Sequence, residues 1–200
     1  MKRVTAFLLV TGLYLAGCNN GNKANNTDTS TTNAAPTDTS SMMSNNTSDT
    51  MSKSTMPVSK DVSDFAEKAA TGGLMEVELG KIAQEKATNP RIKDFGAMMV
   101  KDHSDANDQL KTLAQQKNIT LPTAVSDKQQ KEIDDLNKKT GKDFDKAYMS
   151  MMLDDHKKDI KEFEKAGNDS KDADVKDFAM KTLPTLQKHL DSARAITGKQ

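Results

Sequence analysis

The chain has 200 residues, and its 29 lysine and arginine residues are balanced by 29 aspartate and glutamate residues. A neutral chain without a basic cluster has no electrostatic reason to bind nucleic acid, so we expect no nucleic-acid partner. The single cysteine, Cys18, excludes disulfide frameworks and zinc sites built on several cysteines.

The first eighteen residues, MKRVTAFLLVTGLYLAGC, have the pattern of a secretory signal. A basic start precedes an apolar run that is too short to span a bilayer comfortably, and small residues follow. The tetrapeptide LAGC resembles the lipobox of bacterial lipoproteins, which implies removal of residues 1–17 and acylation of Cys18, for example with palmitate. By similarity to lipoprotein sorting signals, Asn19 implies an outer-membrane lipoprotein whose domain faces the periplasm. The alternative is an ordinary secretory signal with a chance cysteine.

Residues 18–60 are predicted to form the acylated cysteine and a disordered tether. In residues 19–60, 25 of 42 side chains are Ser, Thr or Asn and none is aromatic. Such a segment cannot bury enough apolar surface to offset its ordering entropy. As a flexible coil it would reach roughly 35–40 Å, which would hold the following domain away from the lipid surface.

From Val62 onward, charged and apolar residues alternate with a helical period. The pattern predicts four long helices, which cover residues 61–87, 91–117, 143–166 and 173–197. A short helix is predicted at 127–139, between the second and third long helices. Asn89 is a suitable N-cap for the second helix, and Pro90 suits its first position.

Four amphipathic helices of this length bury their apolar faces only by packing together, which predicts a bundle over residues 61–200. The first and second long helices are joined by a short connection, the second and third by a long one, and the third and fourth by a short one. We therefore predict an all-α, ferritin-like antiparallel four-helix bundle, with a long crossover that contains the short helix. Pro184 is predicted to kink the last long helix.

Two near-repeats, MMVKDH and MMLDDH, place His103 and His156 near the middle of two different helices. His189, the third histidine of the chain, lies slightly past the middle of the last helix. All three lie on or beside the apolar stripes, as does Glu76 in the first helix, although Glu78 competes with Glu76 for the inward position. Central positions fall in one layer of a bundle, so we expect Glu76 and the three histidines to converge inside it.

The converging residues have two interpretations. They could ligate one transition-metal ion, such as zinc, iron, manganese or copper. They could instead form a closed hydrogen-bond network that sets the register of the helices. Met99 and Met152, each one turn before a histidine, would favour copper if their sulfur atoms took part, although methionines at helical spacing are more often core residues.

An aspartate precedes each histidine of the near-repeats. Asp102 and Asp155 are turned about 100° from the histidine that follows them, which predicts either acceptors for imidazoles of neighbouring helices or solvated side chains.

Three stretches, ATGGLMEVELGKIAQEKATNPRIKDFGAMMVKDHSDAN, FDKAYMSMMLDDHKKDI and KTLPTLQKHL, resemble the bacterial domain of unknown function 4142. The resemblance covers residues 62–197 and implies a ferritin-like bundle whose glutamate and histidine pattern maps onto Glu76, His103, His156 and His189. It implies no reaction. A carboxylate-bridged di-iron centre is not expected, because Val100, Leu153 and Leu186 occupy the positions three residues before the histidines.

The sequence therefore predicts a lipid-anchored envelope protein that serves as a binding or stress-related module, with a Glu/His layer in the bundle that could hold one metal ion. The alternatives are a non-catalytic structural or protein-interaction bundle and a metal-dependent oxidoreductase. No catalytic motif or organic cofactor site is predicted, and the membrane, through lipidated Cys18, is the one predicted partner.

Overall fold

The computed structural model describes residues 58–198, and every regular element in that range is a helix. The helices are α1 (Lys60–Lys86), α2 (Pro90–Lys117), α3 (Asp127–Asn137), α4 (Gly141–Asp169) and α5 (Ala173–Thr197). The prediction of an all-α bundle is confirmed, and each predicted helix end lies within three residues of the observed one. The predicted signal peptide, acylated Cys18 and tether lie outside the described residues, apart from the last residues of the tether.

Local signals in the sequence explain where the helices begin. The Asn89 side chain accepts a hydrogen bond from the backbone N–H of Arg91 at 3.0 Å, and α2 begins with Pro90, as predicted. At the start of α3, Ser126 and Gln129 form a reciprocal capping box.

The four long helices form a ring in the order α1, α2, α5, α4, in which neighbours run antiparallel. Lys117, at the end of α2, contacts Asp172 and Asp174 at the start of α5. Arg91, at the start of α2, donates to the backbone oxygen of Ala195 near the end of α5. Two three-residue loops join α1 to α2 and α4 to α5, and residues 118–140 form the long crossover that contains α3. The fold therefore consists of two helical hairpins packed face to face.

Helices α1 and α2 approach each other closely at a pair of glycines. A Cβ atom on Gly80 would lie 2.7 Å from the backbone oxygen of Gly96, and a Cβ on Gly96 would lie 2.7 Å from the backbone oxygen of Gly80. The absence of a side chain on both residues is therefore what permits this spacing.

Helix α4 extends three residues beyond its predicted end at residue 166. The stretch GND has the composition of a helix stop, but Gly167 is buried against α5, where an added Cβ would lie 2.6 Å from the sulfur of Met180. Packing against the neighbouring helix overrides the local stop signal.

Helix α5 continues past Pro184, and the predicted kink there stays a prediction. Among residues 58–198, no helix combines the length and the apolar character needed to cross a bilayer.

The core consists of two aromatic clusters with a polar layer between them. Phe65, Phe163 and Phe178 meet on one side of that layer, with ring centroids 5.0–6.3 Å apart. Tyr148 lies on the other side, between Phe95 and Phe144, at centroid distances of 6.2 and 5.9 Å. Apolar packing on both sides leaves the layer little access to water, so its polar groups depend mainly on one another for hydrogen bonds.

Candidate metal centre

The polar layer is formed by Glu76 on α1, His103 on α2, His156 on α4 and His189 on α5. Their exposed fractions are 4%, 6%, 0% and 0%, and they are the buried polar or charged residues of the described range. Glu78 is only half-buried, so the question of which glutamate faces the core is answered in favour of Glu76. The predicted convergence of these four residues is therefore what the structure shows.

The three imidazole rings form a nearly regular triangle. Their centroids are 5.6 Å apart for His103 and His156, 5.2 Å for His103 and His189, and 5.3 Å for His156 and His189. One nitrogen from each ring lies within 4.8 Å of the other two, which is a spacing that a single metal ion can bridge. Glu76 is not a member of this group of ligand atoms.

Each ring directs its second nitrogen to an oxygen atom outside the triangle. His156 Nδ1 lies 2.9 Å from the backbone oxygen of Met152, and His189 Nε2 lies 3.0 Å from Asp102 Oδ2. His103 Nδ1 lies 2.9 Å from Glu76 Oε2. Of the two aspartates that precede histidines, Asp102 thus serves as an acceptor for an imidazole of a neighbouring helix. Asp155 pairs instead with Lys158 at the surface.

These oxygen partners determine where the imidazole protons lie. A carbonyl oxygen and an ionised carboxylate only accept hydrogen bonds, so His156 carries its proton on Nδ1 and His189 carries its proton on Nε2. Glu76 Oε2, 2.9 Å away, likewise accepts the Nδ1 proton of His103. Each ring is then left with an unprotonated nitrogen that faces the triangle.

The inward nitrogens lack suitable partners among themselves. His156 Nε2 lies 3.3 Å from His189 Nδ1, but both atoms present a lone pair when the outer nitrogens hold the protons. His103 Nε2 is buried without any hydrogen-bond partner in the described chain. Lone pairs that converge inside the bundle favour a bound cation, which is either a metal ion or a proton.

Burial makes the proton a poor occupant of this layer. It lowers the pKa of His103 and of His189 to about 4, and it also lowers the pKa of His156. The imidazoles are therefore neutral near pH 7, which is the state that ligates metals.

The carboxyl groups around the triangle have different charge states. Burial opposes ionisation of Asp102, but the hydrogen bond from His189 holds its pKa below the usual value. For Glu76, burial raises the pKa to about 7, although His156 opposes this rise. Burial and then the neighbouring Glu76 raise the pKa of Asp159 to about 8. Glu76 and Asp159 thus form a carboxyl pair that a nearby cation would help to ionise.

Asp159 is the member of this site that the sequence analysis did not identify. It lies three residues after His156 in the stretch DDHKKDI, so the two side chains share one side of α4. That spacing was the signal that could have identified Asp159. The lysines before and after Asp159, however, are typical of a solvated helix face.

The structure gives Glu76 a different position from that of the histidine ligand atoms. Its two oxygens lie 2.9 Å from His103 Nδ1 and 3.5 Å from His156 Nδ1, which are outer nitrogens. Glu76 is thus placed as a hydrogen-bond acceptor of the ligands, and its predicted direct coordination to a metal stays a prediction. Met99 and Met152 are fully buried, and the participation of their sulfur atoms also stays a prediction.

Comparison with known proteins shows the family of the chain. The sequence profile of a domain of unknown function, DUF4142, matches residues 47–196. The chain belongs to this family. The family predicted from the sequence is therefore confirmed, and the match covers all five helices of the DUF4142 protein except the last residue of α5.

One solved structure is similar in fold to this DUF4142 protein. It is the crystal structure of a DUF305 fragment from Deinococcus radiodurans, with a TM-score of 0.62 and 9% sequence identity. The alignment covers 71% of this chain and 98% of the fragment. At that identity the likeness shows a helical fold in common and nothing about activity. No curated protein matches the sequence.

Proposed function

We propose that this DUF4142 protein binds one transition-metal ion through His103, His156 and His189. The observation that carries the proposal is that one nitrogen from each ring lies within 4.8 Å of one nitrogen from each of the other two. Two nitrogens bound to zinc at about 2.0–2.1 Å in tetrahedral geometry lie about 3.3–3.4 Å apart. The distance of 3.3 Å between His156 Nε2 and His189 Nδ1 has this value.

The outer hydrogen bonds support the same proposal. Metal-binding histidines usually donate their second N–H to a carboxylate or a backbone carbonyl, which orients the ring and increases its basicity. Glu76, the Met152 carbonyl and Asp102 supply one such acceptor to each histidine. Such a complete outer set would also be expected to hold the rings in place before the ion arrives.

The ligand set favours zinc over harder ions. Three neutral imidazoles suit zinc, copper, iron or nickel, whereas manganese and magnesium prefer oxygen ligands. Three protein ligands also leave a fourth tetrahedral position for water or another small ligand. We therefore name zinc as the first ion to test and Cu(I), with its preference for thioether sulfur, as the second.

The cellular location is part of the proposal. The sequence LAGC and Asn19 support a lipid-anchored protein of the outer membrane, with Cys18 acylated and the bundle facing the periplasm. In this setting the protein would serve as an envelope module that holds a metal ion. Labelling of the chain with a radioactive fatty acid, compared between wild type and Cys18→Ser, tests this part independently.

Metal content is the direct test of the centre. The full chain, purified without a histidine tag, should retain or take up close to one equivalent of zinc, and saturating zinc should raise its melting temperature. Less than about 0.2 equivalents of any transition metal, with melting unchanged by zinc, copper, iron or manganese, would reject the proposal in favour of a structural hydrogen-bond network.

Substitution of one ligand provides a second test. His156→Leu should abolish stoichiometric binding, whereas Lys157→Leu, a change at the next and exposed position, should not. Because the chain has only three histidines, all in this centre, every imidazole signal in a nitrogen NMR spectrum reports on it. Zinc should shift one nitrogen of each ring, and unchanged ring signals would contradict coordination by the histidines.

A further inference from the structure

A small cavity adjoins the three-histidine centre on the side of the Phe65 cluster. Its volume is about 50 Å³, and Glu76 and His103 line its buried part. Lys68 and Glu162, both exposed, also line it. The cavity therefore connects the polar layer to the surface where α1 faces α4, and its volume is sufficient for at least one water-sized group.

Two neighbouring carboxyl groups line this cavity. Glu76 Oε1 is buried without a nitrogen or hydroxyl donor at hydrogen-bond distance among the described residues, and its polar neighbours are His156 Nδ1 at 3.5 Å and the Asp159 carboxyl group. Asp159, on α4, lines the same cavity and lies next to Glu76. Carboxylate oxygens replace the water around a divalent cation, and two carboxyl groups side by side in one cavity offer a pair of such ligands.

We propose that this cavity is the path by which a divalent cation reaches the three-histidine centre, with Asp159 and Glu76 as its transient oxygen ligands. This inference rests on the proposed function, and it adds the route by which the ion enters the centre. The ion would exchange part of its hydration water for the two carboxyl groups and then pass to the inward nitrogens.

The outer end of the path has a movable closure. Lys68 Nζ lies 3.1 Å from Glu162 Oε2 and links α1 to α4 across the cleft. Both side chains are exposed, and ion pairs of this kind contribute little stability, so the link can open easily. Gly72 lies beside it, and an added Cβ there would meet no atom within 4 Å. A larger side chain at position 72 would therefore start in open space at the lining of the cavity, where it can narrow the path.

Gly72→Leu is the blocking variant, and Gly72→Ala is its matched control. Both changes favour the helical conformation of α1, but only the leucine side chain is long enough to fill the path. Binding of Co²⁺, which absorbs visible light in a tetrahedral site, is followed by stopped-flow absorbance in the full-length protein. We expect Gly72→Leu to slow both association and dissociation by at least about tenfold, while the stoichiometry and the equilibrium constant stay close to those of Gly72→Ala.

A charge variant tests the carboxyl group itself. Asp159→Asn should slow association by about three- to tenfold, because it removes an acidic ligand from the path. Asp154→Asn, at an exposed position on the same helix, should leave the rate unchanged. Circular dichroism and melting curves of each variant verify that it is folded.

The possible outcomes separate this inference from the proposed function. If the wild-type protein binds no metal, both are rejected. If the wild type binds Co²⁺ and Gly72→Leu does so at the same rate, the centre stands and the path is rejected. If Asp159→Asn weakens equilibrium binding without changing the association rate, Asp159 supports the centre and is not part of the path.

Discussion

His189 on α5 and Asp102 on α2 are joined by a hydrogen bond of 3.0 Å between His189 Nε2 and Asp102 Oδ2. The bond crosses between the two helical hairpins and determines which nitrogen of His189 faces the other histidines. Asp102 immediately precedes His103, so a single turn of α2 provides one ligand and the acceptor that orients another. Asp155 precedes His156 in the same way, but it pairs with Lys158 and contacts no histidine through a hydrogen bond in the described chain.

Asp102→Asn should therefore lower zinc affinity by about 10- to 100-fold, the effect usual for an outer acceptor of a metal-binding histidine. The asparagine can orient its amide nitrogen toward His189 and favour the wrong tautomer. Isothermal titration gives the affinity, and nitrogen NMR of the three rings gives the tautomer. Asp155→Asn is the matched control and should bind zinc like the wild type. Equal losses in the two variants would show a general effect of surface charge.

In the metal-free protein, the free energy of unfolding should change with pH mainly because of the carboxyl groups of Glu76 and Asp159. Glu76 and Asp159 have pKa values raised to about 7 and about 8, so they keep protons in the folded state that the unfolded chain releases near pH 4. Their contribution to stability is present at low pH and is lost as the pH rises through 7 and 8. The histidines act oppositely, because a lowered pKa contributes stability above about pH 6.5 that is lost toward pH 4.

Above pH 6.5 only the carboxyl effect remains, so the free energy of unfolding should fall by about 1.5 kcal/mol per pH unit between pH 6.5 and 8. Thermal melts in the presence of a chelator measure this fall. The double variant Glu76→Gln, Asp159→Asn should show a flatter profile over the same range. A melting temperature of the wild type that rises across this range would contradict the assignment.

Gly80→Ala should destabilise the fold by about 1–3 kcal/mol, because the new Cβ would lie 2.7 Å from the Gly96 backbone oxygen. Backbone atoms of two packed helices cannot move aside as a flexible side chain can. Gly72→Ala, on the same helix, has free space around the new methyl group and should be neutral or stabilising. Chemical denaturation of both variants makes the comparison, and similar stabilities would mean that the hairpin tolerates a wider spacing.

Tyr148→Phe should leave the stability unchanged or raise it by up to about 1 kcal/mol. The hydroxyl group of Tyr148 is buried and has no hydrogen-bond partner in the described residues, so its removal relieves a desolvation cost. The ring packs between Phe95 and Phe144, and phenylalanine preserves those contacts. Urea denaturation measures the change, with Tyr148→Leu as the variant that should lose the aromatic packing. A loss of more than about 1 kcal/mol in Tyr148→Phe would indicate a partner for the hydroxyl group.

Much of the fold was predictable because each helix carries its own signals. The apolar period, the Asn89–Pro90 start and the two short loops are local properties, and they predicted the helices and the hairpins correctly. The end of α4 was predicted three residues too early, because the packing of Gly167 against Met180 involves a residue on another helix.

For the candidate site, the sequence by itself determined which residues share the central layer. The apolar period of each helix and the central position of each residue along it placed four residues there: Glu76, His103, His156 and His189. Both properties depend only on the position of a residue within its own helix. The sequence could not determine the direction of each ring nitrogen, the choice between Asp102 and Asp155 as acceptor, or the place of Asp159 beside Glu76. Those features depend on distances between helices that are far apart in the chain, and only the tertiary structure decided them. For the same reason the repeated MMVKDH and MMLDDH contribute unequal parts to one centre, because α2 and α4 face different neighbours in the bundle.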